Sequence, residues 1–241
     1  MNRIPEPEVM SDDAEARAYQ AANFGDVDQP YVEHLLALLR NRPRPRPRPR
    51  IKILDLGTGP ADIPIRIARQ LPNAHIIALD ASAAMLALAK QKISPREGAR
   101  PIISLIRSDA KLLPFHDSTF DAVISNSLLH HLSDPISFWK EIRRVTKPKA
   151  VVLVQDLFRP PSRITARALM HKHAAHESKL LQQLFYQSLL AAFTPAEVRH
   201  QLDKANLGLA ISTIDDRHIV IEGKKSGYAF LAAETGDGIS W

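Results

Sequence analysis

Apolar residues recur along this chain at two different periods. Short runs rich in Ile, Val and Leu alternate with longer stretches in which apolar positions return every three or four residues. Side chains on a strand alternate between two faces, whereas those on a helix share one face at the longer spacing, so the two periods predict strands and helices respectively. Strands are expected at residues 51–56, 75–80, 102–107, 122–126 and 151–156, with helices at 62–70, 82–93 and 135–145 between them. Helical patterns at 12–22 and 29–40 precede the first strand. Such alternation implies an α/β fold, a mostly parallel sheet with helices on both faces. Two last strands, 209–214 and 218–222, stand so close that only an antiparallel hairpin can join them.

The first of these strands carries the most specific chemistry. The run from Ile51 stops at Asp55-Leu56, turns through Gly57-Thr58-Gly59 and then opens a helical pattern. Residues without a Cβ let a ligand approach the backbone, and the N–H groups at the next helix start face it, so this is where a parallel sheet binds a nucleotide-like cofactor. A G-x-G turn is also plain punctuation between strand and helix. Asp80 adds weight, because it ends the second apolar strand, where an acid can accept hydrogen bonds from two ribose hydroxyls. Pro60 and Ala61 stand where a dinucleotide fold has further glycine, and Pro60 removes an N–H that a diphosphate would use. The turn therefore fits S-adenosylmethionine better, which has adenosine but ends in a sulfonium and an amino acid.

From about Ile51 to His218 the chain resembles the class I S-adenosylmethionine-dependent methyltransferases, in their small-molecule branch of ubiquinone and menaquinone C-methyltransferases. Leu54-Asp55-Leu56-Gly57-Thr58-Gly59 resembles the first cofactor motif, and Leu79-Asp80-Ala81-Ser82 with Met85 resembles the ribose turn and the helix beside the adenine. Ser108-Asp109-Ala110 with Leu113-Pro114-Phe115 resembles the adenine-recognition segment. The stretch from Phe120 through Ser125-Asn126 to Leu129-His130-His131-Leu132 resembles the fourth strand and its active-site edge. Thr146-Lys147-Pro148-Lys149-Ala150 departs from a Lys-Pro-Gly-Gly turn common among relatives, which bears on that turn's backbone and not on the cofactor site. The resemblance implies a Rossmann-like methyltransferase fold of seven strands with an antiparallel last strand. It also implies methyl transfer to an O, N or C atom of a small-molecule acceptor.

Site roles follow from the same residues. Asp55, Gly57, Gly59, Asp80, Ala81, Met85, Asp109, Ala110 and Asn126 are expected at the cofactor, with no metal. Asp55 either orients the turn or reaches the cofactor's amino group through water, the alternative being a loop cap. Asp109 resembles the residue that accepts from the adenine amine, with helix capping as the alternative. Methyl transfer needs a base only where the acceptor carries the proton to be lost, and His130, with Asp156 as a second base or orienter, stands at the correct edge. The competing reading of His130 and His131 is a helix-starting pair with one ring packed and one wet. Leu180, Leu181, Leu184, Phe185 and Leu189 form a stripe at helical spacing that either packs or lines a pocket. His171, His173, His176 and Glu177 lack the spacing of a helical zinc site and read as a solvated face.

Charge is concentrated in one place. Arg40, Arg42, Arg44, Arg46, Arg48 and Arg50 account for the whole net charge of +6, leaving the remainder neutral. Alternating Arg and Pro over 42–50 cannot form a helix and is expected to be an extended linker, with a basic arm for nucleic acid or acidic lipid as the other reading. No aromatic residue interleaves the arginines to stack on bases. The expected organisation is an N-terminal helical lid at 1–41, that linker, a methyltransferase domain at 51–223 with a helical cap near 158–194, and a tail at 224–241. The chain lacks cysteine, so thiol chemistry is excluded, and its start has no signal-peptide core, which makes a cytoplasmic location the default. Two other classes stay open: an NAD-dependent oxidoreductase, and an RNA-modifying or non-catalytic cofactor binder using the arginine arm.

Overall fold

The computed structural model describes residues 1–9, 25–40, 50–93 and 103–225, and side chains within the first helix from Asp28 onward. The helix expected at 12–22 and all of the Arg-Pro linker except Arg50 lie outside the described residues. In chain order the elements are α1 (Gly25–Arg40), β1 (Lys52–Leu56), α2 (Asp62–Gln70), β2 (His75–Asp80), α3 (Ala83–Lys92), β3 (Ile103–Arg107) and β4 (Phe120–Asn126). A 3-10 turn (Leu129–His131), α4 (Pro135–Val145), β5 (Thr146–Leu157), α5 (Arg163–Ala174), α6 (Lys179–Ala191), α7 (Pro195–Lys204), β6 (Ala210–Thr213) and β7 (His218–Lys224) complete it.

The strands form one seven-stranded sheet in the order β3-β2-β1-β4-β5-β7-β6. β1 to β5 are parallel neighbours, and β7 runs antiparallel to both β5 and β6. Chain order reverses between β1 and β4, so the crevice outside their carboxyl ends is the switch point at which such sheets bind ligands. Both faces are covered. Trp139 and Phe138 of α4 pack with Leu202 of α7 on one face, while Tyr31, Leu35 and Leu39 of α1 pack with Ile67 of α2 on the other. Trp139 is fully buried and still donates Nε1–H to Gln201 at 3.0 Å, as a buried indole must. A third cluster joins Leu157 to Leu169 of α5 and Leu189 of α6, which seats the inserted helices over the end of β5.

Several expected boundaries shift. α1 begins at Gly25, ahead of the expected Gln29, and so carries Pro30 inside the helix, where its missing N–H leaves one i→i−4 bond unmade. β4 starts at Phe120, and β5 at Thr146 in place of Val151. Phe120 pairs with Thr146 but Ala122 with Val151, so the extra residues of β5 bulge out of the ladder. Lys149 takes a positive φ of 62° inside that bulge, the conformation a glycine supplies in the Lys-Pro-Gly-Gly version. β7 runs to Lys224, one residue beyond the expected domain end. Among the described residues, no helix is long and apolar enough to cross a membrane.

Candidate active site

The turn after β1 is built on left-handed backbone. Gly57 has φ 71° and a Cβ there would sit 2.9 Å from Leu128, so both the conformation and the space demand glycine. Gly59, at φ 53°, has open space where a Cβ would be. The N–H groups of Gly57 and Thr58 both donate to the Leu79 carbonyl at 2.9 Å, which locks the turn to the end of β2. Asp80 completes the lock: Oδ2 accepts from Gly59 N–H and Oδ1 from Ser82 N–H, each at 2.8 Å. Burial raises the Asp80 carboxyl above its ordinary value, and these backbone donors oppose the rise.

Two adjoining cavities flank this turn. The smaller, about 130 Å³, is bounded by Asp80, Ala81, Met85, Asp109 and Ala110. Met85 is buried and also faces this space, so packing and lining coincide. Asp109 accepts Lys111 N–H at 2.8 Å and pairs with Lys111 Nζ at 3.2 Å. The segment at Asp109 is a turn and not a helix, so the alternative of helix capping does not apply. Glu8 reaches the same lysine at 2.7 Å and also binds Ser133, which holds its own carboxyl down at about 2 against the effect of burial.

The larger cavity, about 290 Å³, shares Gly57, Gly59, Asn126, Ser127 and His131 with the first. Three of its lining residues carry a buried acceptor-capable oxygen with no protein partner: Asp55 Oδ2, Thr58 Oγ1 and Asn126 Oδ1. Buried polar atoms are rarely left in this state unless a ligand or water meets them. Asp55 is only 2% exposed, and burial pushes its carboxyl up to about 7 against the opposing effect of the nearby Thr58 hydroxyl, with the like charge of Asp80 adding to the rise. Asp28 of α1 enters from the other side, likewise lifted by burial to about 6. These acids surround a space suited to a cation, and their residues fit the ammonium of an amino-acid tail. Sequence reasoning missed Asp28, because it stands on a helix that precedes the linker and lies far from any motif.

At the far end of the same cavity stand the histidines. His130 is 3% exposed and its Nδ1–H donates to Asp156 Oδ1 at 2.5 Å. Asp156 also accepts from Leu129 N–H at 2.6 Å and Leu157 N–H at 2.7 Å, so β5 and the 3-10 turn are joined through one carboxylate. Burial alone would depress the His130 imidazole, but Asp156 outweighs it and holds it above its ordinary value. Burial opposes ionisation of Asp156 too, and the His130 charge overcomes that and holds it low. His131 stacks beside His130 with ring centres 4.2 Å apart, and burial with that neighbouring charge lowers it to about 3. The pair ends a 3-10 turn that begins at Leu129, in place of starting a helix, with His130 packed and His131 partly buried.

The first residues of the chain, part of the segment expected as a helical lid, reach this end in non-helical form. Arg3 donates to the carbonyls of Ala191 (2.5 Å), His130 (2.7 Å) and Leu132 (3.1 Å) and lies 4.0 Å over the Phe193 ring. Glu6 approaches His130 Nε2 at 3.4 Å and His131 Nδ1 at 3.2 Å, and its carboxyl is raised by burial. Leu181, Leu184 and Phe185 of α6 line the cavity, while Leu189 packs in the core and Leu180 is exposed. The expected stripe therefore divides between both readings. His171, His173, His176 and Glu177 are all exposed, and of them His173, which pairs with Asp216, and Glu177 border the cavity mouth.

Comparison with known proteins finds chains of similar sequence and fold. Residues 54–154 match a family described as a methyltransferase domain. The demethylmenaquinone methyltransferase of Lactiplantibacillus plantarum is 39% identical over 108 residues, covering 44% of this chain and 45% of that protein. The chain spans about half or less of the length of the curated relatives it matches. An Aquifex aeolicus S-adenosylmethionine-dependent methyltransferase structure is 16% identical with a TM-score of 0.61, covering 87% of this chain and 97% of that one. The plantazolicin methyltransferase, solved with a monoazolic desmethylPZN analog and SAH, is 14% identical with a TM-score of 0.65 over 89% of each chain. Likeness at that identity establishes the shared fold.

Proposed function

We propose, from the match of residues 54–154 to a methyltransferase-domain family, that the protein transfers a methyl group from S-adenosylmethionine to an O, N or C atom of a small-molecule acceptor. The observation that carries this reading is the Asp80 carboxylate, which joins the glycine turn to the end of β2 at the switch point. Each Asp80 oxygen retains a lone pair for a ribose hydroxyl. Met85, Asp109 and Ala110 bound the space for adenine. Asp55 Oδ2 and Asn126 Oδ1 take the ammonium of the methionine tail, assisted by the charge of Asp28. The same acids would repel a diphosphate and Pro60 withholds an N–H from it, which weighs against the NAD-dependent alternative.

When bound, S-adenosylmethionine supplies a methyl group on positive sulfur, already activated for in-line displacement. The chain's own work is to align an acceptor and exclude water. Residues 1–9 and the helices α5 and α6, within the cap at 158–194, act as the roof over the acceptor. His130 Nε2 faces the acceptor end, with Nδ1–H held by Asp156, and takes the acceptor's proton where one must leave. Residues 42–50 act as a connector, and the location is taken to be cytoplasmic. A screen of small nucleophiles for transfer of a labelled methyl group tests the reading. Transfer to at least one acceptor, lost with Asp80→Ala, is expected; a protein that binds the cofactor and labels none would be a non-catalytic binder.

A further inference from the structure

Glu6, His130 and His131 bring one carboxylate oxygen and two imidazole nitrogens within 4.8 Å of one another at the end of the larger cavity. We propose that these three side chains form a binding site for a divalent transition-metal ion of the zinc or iron(II) type, with an open position facing the acceptor. The spacing supports it. Bonds of about 2.0–2.1 Å at a tetrahedral angle hold neighbouring donor atoms about 3.3 Å apart. Glu6 Oε1 lies 3.4 Å from His130 Nε2 and 3.2 Å from His131 Nδ1. All three donors lie within 4.8 Å of one another, so an ion entering between them has only to draw the two imidazole rings closer.

The surroundings are those a ligand set requires. Metal-bound histidines usually donate their second ring N–H to a carboxylate, which fixes the tautomer and turns the other lone pair toward the ion. Asp156 does this for His130 at 2.5 Å, leaving Nε2 as the donor. Ser188 Oγ donates to Glu6 Oε1 at 3.2 Å and Oε2 at 3.4 Å, orienting that carboxylate in the same way. His131 Nδ1 has one other near contact, the Pro7 carbonyl at 3.3 Å, which coordination replaces. Glu6 and Asp156 together supply two negative charges beside a doubly positive ion. The nearby Arg3 guanidinium is directed at the carbonyls of Ala191, His130 and Leu132.

Two nitrogens and one oxygen leave room for a further ligand, the arrangement of catalytic and not of closed structural sites. The acceptor class this favours carries a hydroxyl, phenol or thiol. Such a group coordinates through oxygen or sulfur, its O–H or S–H bond breaks, and the proton passes to solvent water. This assignment rests on the acceptor-side reading above and changes the destination of that proton, since a coordinated Nε2 cannot also accept it. It also gives residues 1–9 a chemical tie to the site, because the ion bridges position 6 to positions 130 and 131.

The test titrates the chelator-treated full chain with Zn²⁺ by calorimetry and with Co²⁺ by visible absorption. One saturable equivalent is expected, with the intensified d–d bands of low-coordinate Co²⁺ and a higher melting temperature. Glu6→Gln and His131→Asn should each weaken the site at least tenfold. Glu8→Gln, which alters the same segment where it touches Ser133 and Lys111, should bind as wild type. Absence of a saturable equivalent overturns the site, as does an equivalent that survives Glu6→Gln and His131→Asn. Equal loss in Glu8→Gln also overturns it, since docking of the segment and not ligation would then explain the effect. S-adenosylhomocysteine affinity of the wild type is read in parallel, so failure of the metal site and failure of the methyltransferase reading are separate results.

Discussion

Asp80 accepts the Gly59 N–H at 2.8 Å, so the carboxylate that ends β2 holds the turn that follows β1. The residue placed to bind ribose is thereby also the residue that shapes the wall beside it. Asp80→Ala removes two charge-assisted hydrogen bonds to the cofactor and the anchor of the turn together. S-adenosylhomocysteine affinity should fall by about 1.5–3 kcal/mol or more. Calorimetry on a variant shown to be folded by circular dichroism checks this, and an unchanged affinity refutes the assignment.

Asp55 gives the site a pH dependence of known sign. Its carboxyl holds a proton to about pH 7 when folded but only to about 3.8 when unfolded. The folded state thus binds more protons between those values, and this contribution to stability is lost as pH rises through that window. Asp55→Asn should remove the loss, so the cofactor-free variant should gain melting temperature relative to wild type between about pH 4 and 7. A ligand ammonium favours the ionised form, so wild-type S-adenosylhomocysteine affinity should rise from pH 6 to 8, and the rise should vanish in the variant. A flat wild-type profile removes Asp55 from the ammonium.

His130→Ala separates chemistry from packing. If Nε2 serves the acceptor, turnover should fall about a hundredfold or more, cofactor affinity should persist, and a pH-rate limb above the ordinary histidine value should disappear. The loss also leaves Asp156 buried with only its backbone donors, so the melting temperature should drop. A folded variant with wild-type turnover and pH profile leaves alignment alone to account for the reaction.

The Arg-Pro segment should be replaceable. Changing residues 42–50 to a neutral flexible linker is expected to leave cofactor affinity and melting temperature nearly unaltered, since loop entropy changes little at constant length. A large loss of affinity, or salt-dependent RNA binding that disappears with the arginines, would make the segment a working arm.

The sheet and the cofactor half of the site were legible because their signals are local. Apolar strands ending at Asp55, Asp80, Asn126 and Asp156 put those residues at one sheet edge whatever the details of packing. The histidine pair was legible by position, but its electrostatics were not, since Asp156 and Glu6 reach His130 from 26 and 124 residues away in sequence. Glu6 and Arg3 sit in a stretch without periodicity, and their role comes from long-range contacts with α6 and the 3-10 turn. Asp28 was hidden for the same reason. The bulge at Lys149 was signalled only as a departure from a glycine turn, and the backbone conformation there is the one glycine favours.

The central claim is that the paired cavities around Gly57, Gly59 and Asp80 hold S-adenosylmethionine. Calorimetric titration of the wild-type chain with S-adenosylhomocysteine and, separately, with NAD tests it most directly. The account predicts saturable one-to-one binding of S-adenosylhomocysteine that strengthens with pH, and no measurable heat of binding with NAD. Saturable NAD binding, or no binding of S-adenosylhomocysteine by the folded protein, would contradict it.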